Sequence, residues 1–371
     1  MSLKKNLIFF LPNFSFGGAA NSIIRLCEGL DKKKYDIFII SIGKNYYKKR
    51  INKFCTKVYE LNFTKTIYSF FFIRKIVLEL IKKNKNTLFI SNINYANVLS
   101  VFFLRSILYL KIILIERTSI NELSIYFNYK EFIKKNIIKI MIKYFYKKAD
   151  VIITNSKKTA KDLKQLTKTN KIFYIYPPSI KKVFLYKKPS YNNTKTLRIL
   201  TVGRLAVEKN LKTVITSLKY LNFKNFKLLI VGAGDEKEKL KKIITNYKLQ
   251  KKVTFFHQTE NLRNYYKSAH LFINSSYFEG FPNSVIEAIN YNLPVLCSRS
   301  GGGIHDIFYN NKFGNFFNAN DYYGLSRLIK KFTENPTKFY FNLEKVKKRI
   351  AIFRTKNNIN LYNKLFNSLF K

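Results

Sequence analysis

The chain has 371 residues, 47% of them hydrophobic, more than one typical domain needs and enough apolar side chains for two ordinary cores. Its 69 Lys and Arg against 21 Asp and Glu give a formal net charge of +48, which excludes an acidic surface and points to an anionic partner: nucleic acid, a membrane surface or a phosphorylated substrate. The wealth of Asn, Ile, Phe and Tyr and the lack of Trp are what an AT-rich genome writes into any protein; that bias explains part of the Lys excess but not the scarcity of acidic residues.

In chain order, MSLKKNLIFFLPNFSFGGAA mimics a signal peptide. The apolar run is short, however, is broken by Pro12, and passes through Gly17-Gly18 into helical spacing. Residues 7–11 therefore read as a strand and 21–30 as a helix, followed by a strand over 35–42 and helical spacing over 70–83. Strand-length apolar runs follow at 87–91, 111–115 and 151–154. No stretch reaches the roughly 18 uncharged apolar residues of a membrane span; the most apolar one, 101–115, is interrupted by Arg105 and Lys111. Over 131–148 a helical wheel puts Ile133, Ile137, Ile140, Met141, Tyr144 and Phe145 on one face and Lys135, Lys139, Lys143 and Lys147 on the other, with Phe132, Ile142 and Tyr146 breaking the pattern. Such a helix either lies on an anionic membrane or packs its apolar face on the domain core. The polar, turn-rich residues 187–196 mark the domain boundary, giving domains over 1–186 and 187–354.

A second alternating series begins at 197–202 (strand) and 211–221 (helix). It continues through 227–231, 237–247, 253–256, 262–269 and 271–274 to a helix from Ser284 and a strand at 294–298. The fold class is α/β: two doubly wound, Rossmann-like domains whose strand ends face each other across a crevice. Cys27, Cys55 and Cys297 form no CxxC pairing, which speaks against a disulfide framework or a zinc site and fits a reducing setting.

Three segments of the second domain carry chemistry. In VGRLAVEKNL a strand ends at Gly203, and Arg204 and Lys209 precede a helix, a site for a diphosphate or simply two solvated cations. In YFEGFPNSVIEAI, Glu279 and Glu287 bracket a helix entry, and Ser284-x-x-Glu287 can equally be a capping box in which Glu287 only satisfies a backbone donor. In PVLCSRSGGGIHDI a strand runs into a triple-glycine loop that can expose N–H groups to anions. VGAGDE at Val231 suggests a dinucleotide fold, but Lys237 occupies the third glycine position of GxGxxG.

With these motifs the chain resembles glycosyltransferase family 4, whose second domain carries G-R-x-x-x-x-K, E-G-F-P-x-x-x-x-E and P-V-x-x-x-x-x-G-G. NFSFGGAANSIIRLCEGL and KADVIITNSKKTAKDL resemble segments of the family's first domain, and IFRTKNNINLYNKLF its closing helix, which crosses back to the first domain over 355–371. The resemblance implies the GT-B fold and a retaining hexosyltransferase that uses a nucleotide-diphosphate sugar. It implies that Arg204 and Lys209 neutralise the leaving diphosphate and that Glu279 orients the donor sugar. Glu287 would bind the ribose, the N–H groups around Phe281, Asn283 and Ser284 would form a positive helix end, and Gly17-Gly18 would close against the phosphates. Absence of an Asp-x-Asp pair implies no metal and no further cofactor. Where relatives carry a first-domain His, this chain has ILIERTSINEL, so Glu116 and Arg117 are candidates for acceptor or sugar contact, or else a surface ion pair. The expected acceptor is a glycan or lipid-linked sugar of polysaccharide, lipopolysaccharide or capsule biosynthesis, and the expected place the cytoplasmic face of the cell membrane. A basic nucleic-acid-binding or membrane-binding protein and another nucleotide-dependent enzyme are the alternatives; the dispersed basic residues and absent nucleic-acid module argue against specific nucleic-acid binding.

Overall fold

The computed structural model describes residues 4–14, 17–43, 45–184, 191–192, 196–223, 225–257, 259, 261–310 and 312–370. The chain divides into two compact units, Met1–Pro178 with Thr355–Lys371, and Ser179–Arg354. The change of unit at Pro178 falls ahead of the boundary read at residue 186. Side chains of the second unit hold the intervening segment: Ser179 Oγ donates to Asn283 Oδ1 (2.8 Å), Asn290 Nδ2 to the Lys182 carbonyl (3.0 Å), and Phe184 packs on Tyr291. Most of the polar stretch 187–196 lies outside the described residues.

In the first unit, strands β1 (Lys5–Phe10), β2 (Tyr35–Ser41), β3 (Lys57–Glu60), β4 (Thr87–Asn92), β5 (Lys111–Glu116), β6 (Val151–Thr154) and β7 (Ile172–Tyr174) form a parallel sheet in the order β3-β2-β1-β4-β5-β6-β7. The helices are α1 (Gly18–Glu28), α2 (Lys48–Ile51), α3 (Thr66–Lys83), α4 (Asn94–Leu104), α5 (Tyr129–Phe145) and α6 (Lys157–Thr167). The two-residue period of a strand sends Ile8, Phe10, Phe89 and Ile112 to the face covered by α3, α4 and α5. Leu7, Phe9, Ile90 and Ile113 go to the face covered by α1. Both faces are buried, which is why these strands read as continuous apolar runs.

In the second unit, β8 (Leu197–Val202), β9 (Phe226–Val231), β10 (Val253–Phe256), β11 (Leu271–Asn274), β12 (Val295–Ser298) and β13 (Asn315–Phe317) form a parallel sheet in the order β10-β9-β8-β11-β12-β13. Its helices are α7 (Leu211–Lys219), α8 (Lys237–Asn246), α9 (Arg263–Ser268), α10 (Asn283–Asn290), α11 (Gly303–Ile307), α12 (Tyr322–Glu334) and α13 (Pro336–Lys347). The final helix, α14 (Thr355–Leu369), belongs to the first unit, where Ile359, Tyr362 and Phe366 join the core beside α1.

Helix α5 departs from the wheel reading. Its core side is Ile138 and Ile142, with Met141 and Phe145 of the wheel's apolar face packed beside them and Tyr146 just beyond its end, whereas Ile133, Ile137, Ile140 and Tyr144 are exposed. The helix is apolar on two sides, and the stripe with the cleaner spacing is not the one that packs. Lys135, placed by the wheel on the solvated face, is largely enclosed: it donates to the Ile125 carbonyl (2.6 Å) and pairs with Glu131 (3.5 Å). No helix among the described residues is long and apolar enough to cross a membrane.

Candidate active site

In the second sheet β8 and β11 are hydrogen-bonded neighbours, although they are not consecutive in sequence, and the chain winds outward in opposite directions from this pair. At such a switch point the loops after the two strands diverge and leave a crevice. Arg204 and Lys209 follow β8; Ser276 and Glu279 follow β11. The two loops are tied together, Tyr277 N–H donating to the Glu208 carbonyl (2.8 Å) and Ser275 Oγ to the Lys209 carbonyl (2.8 Å). Gly203, Arg204, Lys209, Asn274, Ser275 and Ser276 line one depression at this point.

Glu279 is buried, and one of its oxygens, Oε1, accepts from Lys209 Nζ (2.7 Å), Ser276 Oγ (2.7 Å) and Asn274 Nδ2 (3.3 Å). Burial by itself would raise the carboxyl pKa; the Lys209 ammonium and these donors overcome it and hold Glu279 ionised below its ordinary 4.5. Arg204 stays two-thirds exposed and pairs with Glu208 one turn on. The pair Lys209–Glu279 joins the first and second sequence motifs in one contact, and Asn274 and Ser276, which the sequence did not single out, complete it.

The third motif plays a different part from the one expected of it. Its glycine loop is buried rather than open to anions: Gly303 N–H donates to the Gly280 carbonyl (2.8 Å), and Glu279 N–H to the Ser300 carbonyl (3.3 Å). Gly302 has φ 56°, and a Cβ there would lie 1.9 Å from the Glu279 carbonyl oxygen. The glycines let the two loops touch, so the third motif supports the second from beneath.

Helix α10 starts at Asn283, one residue earlier than expected, with Pro282 in the cap position and no side chain capping it. The capping-box alternative at Ser284 and Glu287 therefore fails. Instead Glu287 Oε2 accepts from Tyr266 Oη (3.1 Å), and the buried Tyr266 ring stacks on Tyr291 at 5.3 Å. Tyr266 also reaches the Ser284 carbonyl (3.4 Å), and Phe281 packs on Phe353. Nothing in the sequence signalled Tyr266, whose role comes from α9 lying beside α10.

In the first unit Gly17 and Gly18 open α1. Gly17 has φ 178°, an extended conformation that any residue adopts; Ser15 and Phe16 before it lie outside the described residues. Glu116 and Arg117 end β5 and are not a surface ion pair. Glu116 is fully buried: Oε2 accepts from Tyr146 Oη (2.6 Å), Oε1 from Thr118 Oγ1 (2.7 Å) and Thr118 N–H (3.1 Å). Burial raises its pKa against the pull of these donors. Arg117, also buried, donates through Nε to Asn92 Oδ1 at the end of β4 (2.8 Å). Next to Asn92, Ile93 has φ 79°, a strained setting for a β-branched residue. Both oxygens of Glu116 are engaged, so it anchors the strand end that carries Arg117.

Among the described residues no three His, Cys, Asp or Glu side chains gather as metal ligands would.

Two family models match the chain: Glycosyltransferase Family 4 over residues 16–178 and Glycosyl transferases group 1 over residues 184–350. An uncharacterized glycosyltransferase of Methanocaldococcus jannaschii is 29% identical over 191 residues, 48% of this chain and 47% of that protein. The N-acetylgalactosamine-N,N'-diacetylbacillosaminyl-diphospho-undecaprenol 4-alpha-N-acetylgalactosaminyltransferase of Campylobacter jejuni is 27% identical over 186 residues, 47% of this chain and 48% of that protein. The chain thus spans about half the length of the curated relatives it matches. The solved structure of sucrose-phosphate synthase from Thermosynechococcus elongatus superposes with a TM-score of 0.82 at 17% identity over 99% of each chain, a likeness of fold. With one model on each half of the chain and a doubly wound sheet beneath each, the chain belongs to the family 4-like glycosyltransferases of the GT-B fold.

Proposed function

We propose that the protein is a retaining glycosyltransferase that moves a hexose or N-acetylhexosamine from a nucleotide-diphosphate sugar to a lipid-linked or surface glycan. The observation that carries this reading is the Lys209–Glu279 contact at the β8/β11 switch point, with Arg204 at its rim and Glu287 on the adjoining helix α10. Lys209 and Arg204 balance the charge that develops on the departing diphosphate, in a crevice where water does not screen them fully. At the start of α10 Asn283 N–H and Val285 N–H donate to the Phe281 and Pro282 carbonyls, so the helix adds the Ser284 N–H and the positive end of its dipole. Glu279, fixed by Ser276 and Asn274, both orients Lys209 and offers its second oxygen to the donor sugar. Glu287, aimed by Tyr266, accepts from the ribose hydroxyls. The acceptor is assigned to the first unit, with Arg117 at the end of β5 as the contact and Glu116 as its anchor.

A lipid-linked acceptor is supported by the name of the Campylobacter jejuni relative, which carries a diphospho-undecaprenol; with such an acceptor the enzyme works at the inner face of the cell membrane. The test is differential scanning fluorimetry against UDP, GDP, ADP and CMP and their sugars, followed by nucleotide release with a polyprenyl-diphosphate glycan. A ligand that binds only the native state raises the melting temperature. If no nucleotide shifts it, the donor reading fails.

A further inference from the structure

We propose that the outward face of α3, α4 and α5 inserts into an anionic lipid bilayer. This gives the membrane contact of the previous subsection a surface and rests on that reading of location, but not on the transferase reading.

Phe71 on α3 and Phe102 on α4 are 65% and 60% exposed. They belong to one row of rings: Phe71 to Phe103 at 5.5 Å, Phe103 to Phe102 at 5.0 Å, and Phe102 to Phe145 on α5 at 5.7 Å. The row crosses all three helices, so the exposed apolar residues of each join into one face. On α5 the face continues along the exposed stripe Ile133, Ile137, Ile140 and Tyr144, a spacing that normally packs on a core. Here Ile138 and Ile142 do that packing, and the stripe is left for something else. Single exposed apolar residues are ordinary; a patch continuous over three helices is not.

Charge decides the occupant. Helix α4 carries no charged residue, and the charges of α3 and α5 are basic apart from Glu79 and Glu131, the latter paired with Lys135. Exposed Lys134, Lys143 and Lys147 stand among the apolar side chains, Lys147 lying 5.7 Å over the Tyr144 ring. A second copy of a chain with a formal charge of +48 would bring Lys against Lys. A bilayer with anionic headgroups takes the rings and Ile side chains into its acyl boundary while the Lys stems reach up to the phosphates.

The test is sedimentation with vesicles of phosphatidylcholine alone and of phosphatidylcholine with phosphatidylglycerol, at low and high salt. The triple variant Phe71→Ser, Phe102→Ser, Ile137→Ser is compared with Lys134→Gln, Lys143→Gln, Lys147→Gln, and all six positions are exposed, so both should melt as wild type does. The wild type should bind the anionic vesicles and keep part of that binding in high salt. The apolar variant should lose at least about tenfold in affinity, most visibly in high salt where attraction of charges is screened. The Lys variant should lose on the order of fivefold per residue, visible only at low salt. Unchanged sedimentation of the apolar variant overturns the proposal. So does a wild-type dimer, detected by light scattering, that dissociates in the apolar variant, because a second copy then covers the face. Thermal shift by nucleotides is followed in parallel: its absence sinks the donor reading and leaves the surface standing, and the reverse holds for vesicle binding.

Discussion

Glu279 has been taken out of water and then supplied with donors by Lys209, Ser276 and Asn274, which ties stability and function together at one carboxylate. Lys209→Met should abolish donor turnover and also strand a buried charge, at a cost of about 3 kcal/mol. Adding Glu279→Gln should restore most of the melting temperature but none of the nucleotide release; recovery of both would show that the pair is only structural. The pH dependence follows from the direction of the shift. A carboxylate held below its ordinary 4.5 contributes stability above the unfolded value and loses it as pH falls toward the folded one. Wild type should therefore lose melting temperature more steeply than Glu279→Gln on acidification below about pH 4.5, as scanning calorimetry from pH 7 to 3 would show. Glu287 gives a separate forecast, because the cap position of α10 is held by Pro282 and not by Ser284. Glu287→Ala should weaken donor binding roughly ten- to hundredfold with the fold intact, the value of a charge-assisted contact of about 1.5 to 3 kcal/mol. Tyr266→Phe, which removes the hydroxyl that aims Glu287 and reaches the Ser284 carbonyl, should raise the donor KM by a smaller factor and leave kcat unchanged. A fall in kcat without a change in KM would contradict that positioning role.

At the scale of elements, the loops that carry the three motifs are in contact with one another. Gly302→Ala would drive a Cβ into the Glu279 carbonyl at a φ that L residues rarely adopt, so the 279–283 loop must move. Donor affinity should fall along with melting temperature. Gly43→Ala, where the nearest atom to a new Cβ is 3.7 Å away, is the control and should change neither. Most elements were legible because parallel strands buried on both faces leave unbroken apolar runs such as residues 111–115 and 271–274. Strands β3, β7 and β13 leave no such run, because KVYE, IFY and NFF are too short to show a period and lie at sheet edges with little to bury. Helix α5 misled because it is apolar on two sides. A related cap stands at the start of α5, where Asn128 Oδ1 accepts from Glu131 N–H and Glu131 accepts from the N–H of Phe127, the residue before the cap. Of the site, the sequence named Arg204 with Lys209 and Glu279 with Glu287, each pair within its own segment. It was blind to Tyr266 and to the meeting of Lys209 with Glu279, since those partners come from the order of strands in the sheet.

For the whole molecule, the question is how a chain with a formal charge of +48 would handle a diphosphate leaving group. A nucleoside diphosphate can depart when a divalent cation bridges its phosphates or when fixed protein cations and helix ends take that role. The sequence contains no Asp-x-Asp pair to hold a bridging metal, whereas Lys209 and Arg204 stand at the switch point and the start of α10 is uncapped. The two routes differ in what disturbs them. A metal route is abolished by chelation and tolerates moderate salt. A route through an exposed Arg204 survives chelation and weakens as ionic strength shortens the Debye length from about 10 Å at 0.1 M to about 3 Å at 1 M. Nucleotide release should therefore persist in EDTA at its full rate, and the donor KM should rise with salt, less so in Arg204→Gln than in wild type because that variant has already lost the screened partner. Loss of turnover in EDTA that magnesium or manganese restores would assign the leaving-group charge to a metal and return Lys209 to the task of holding Glu279.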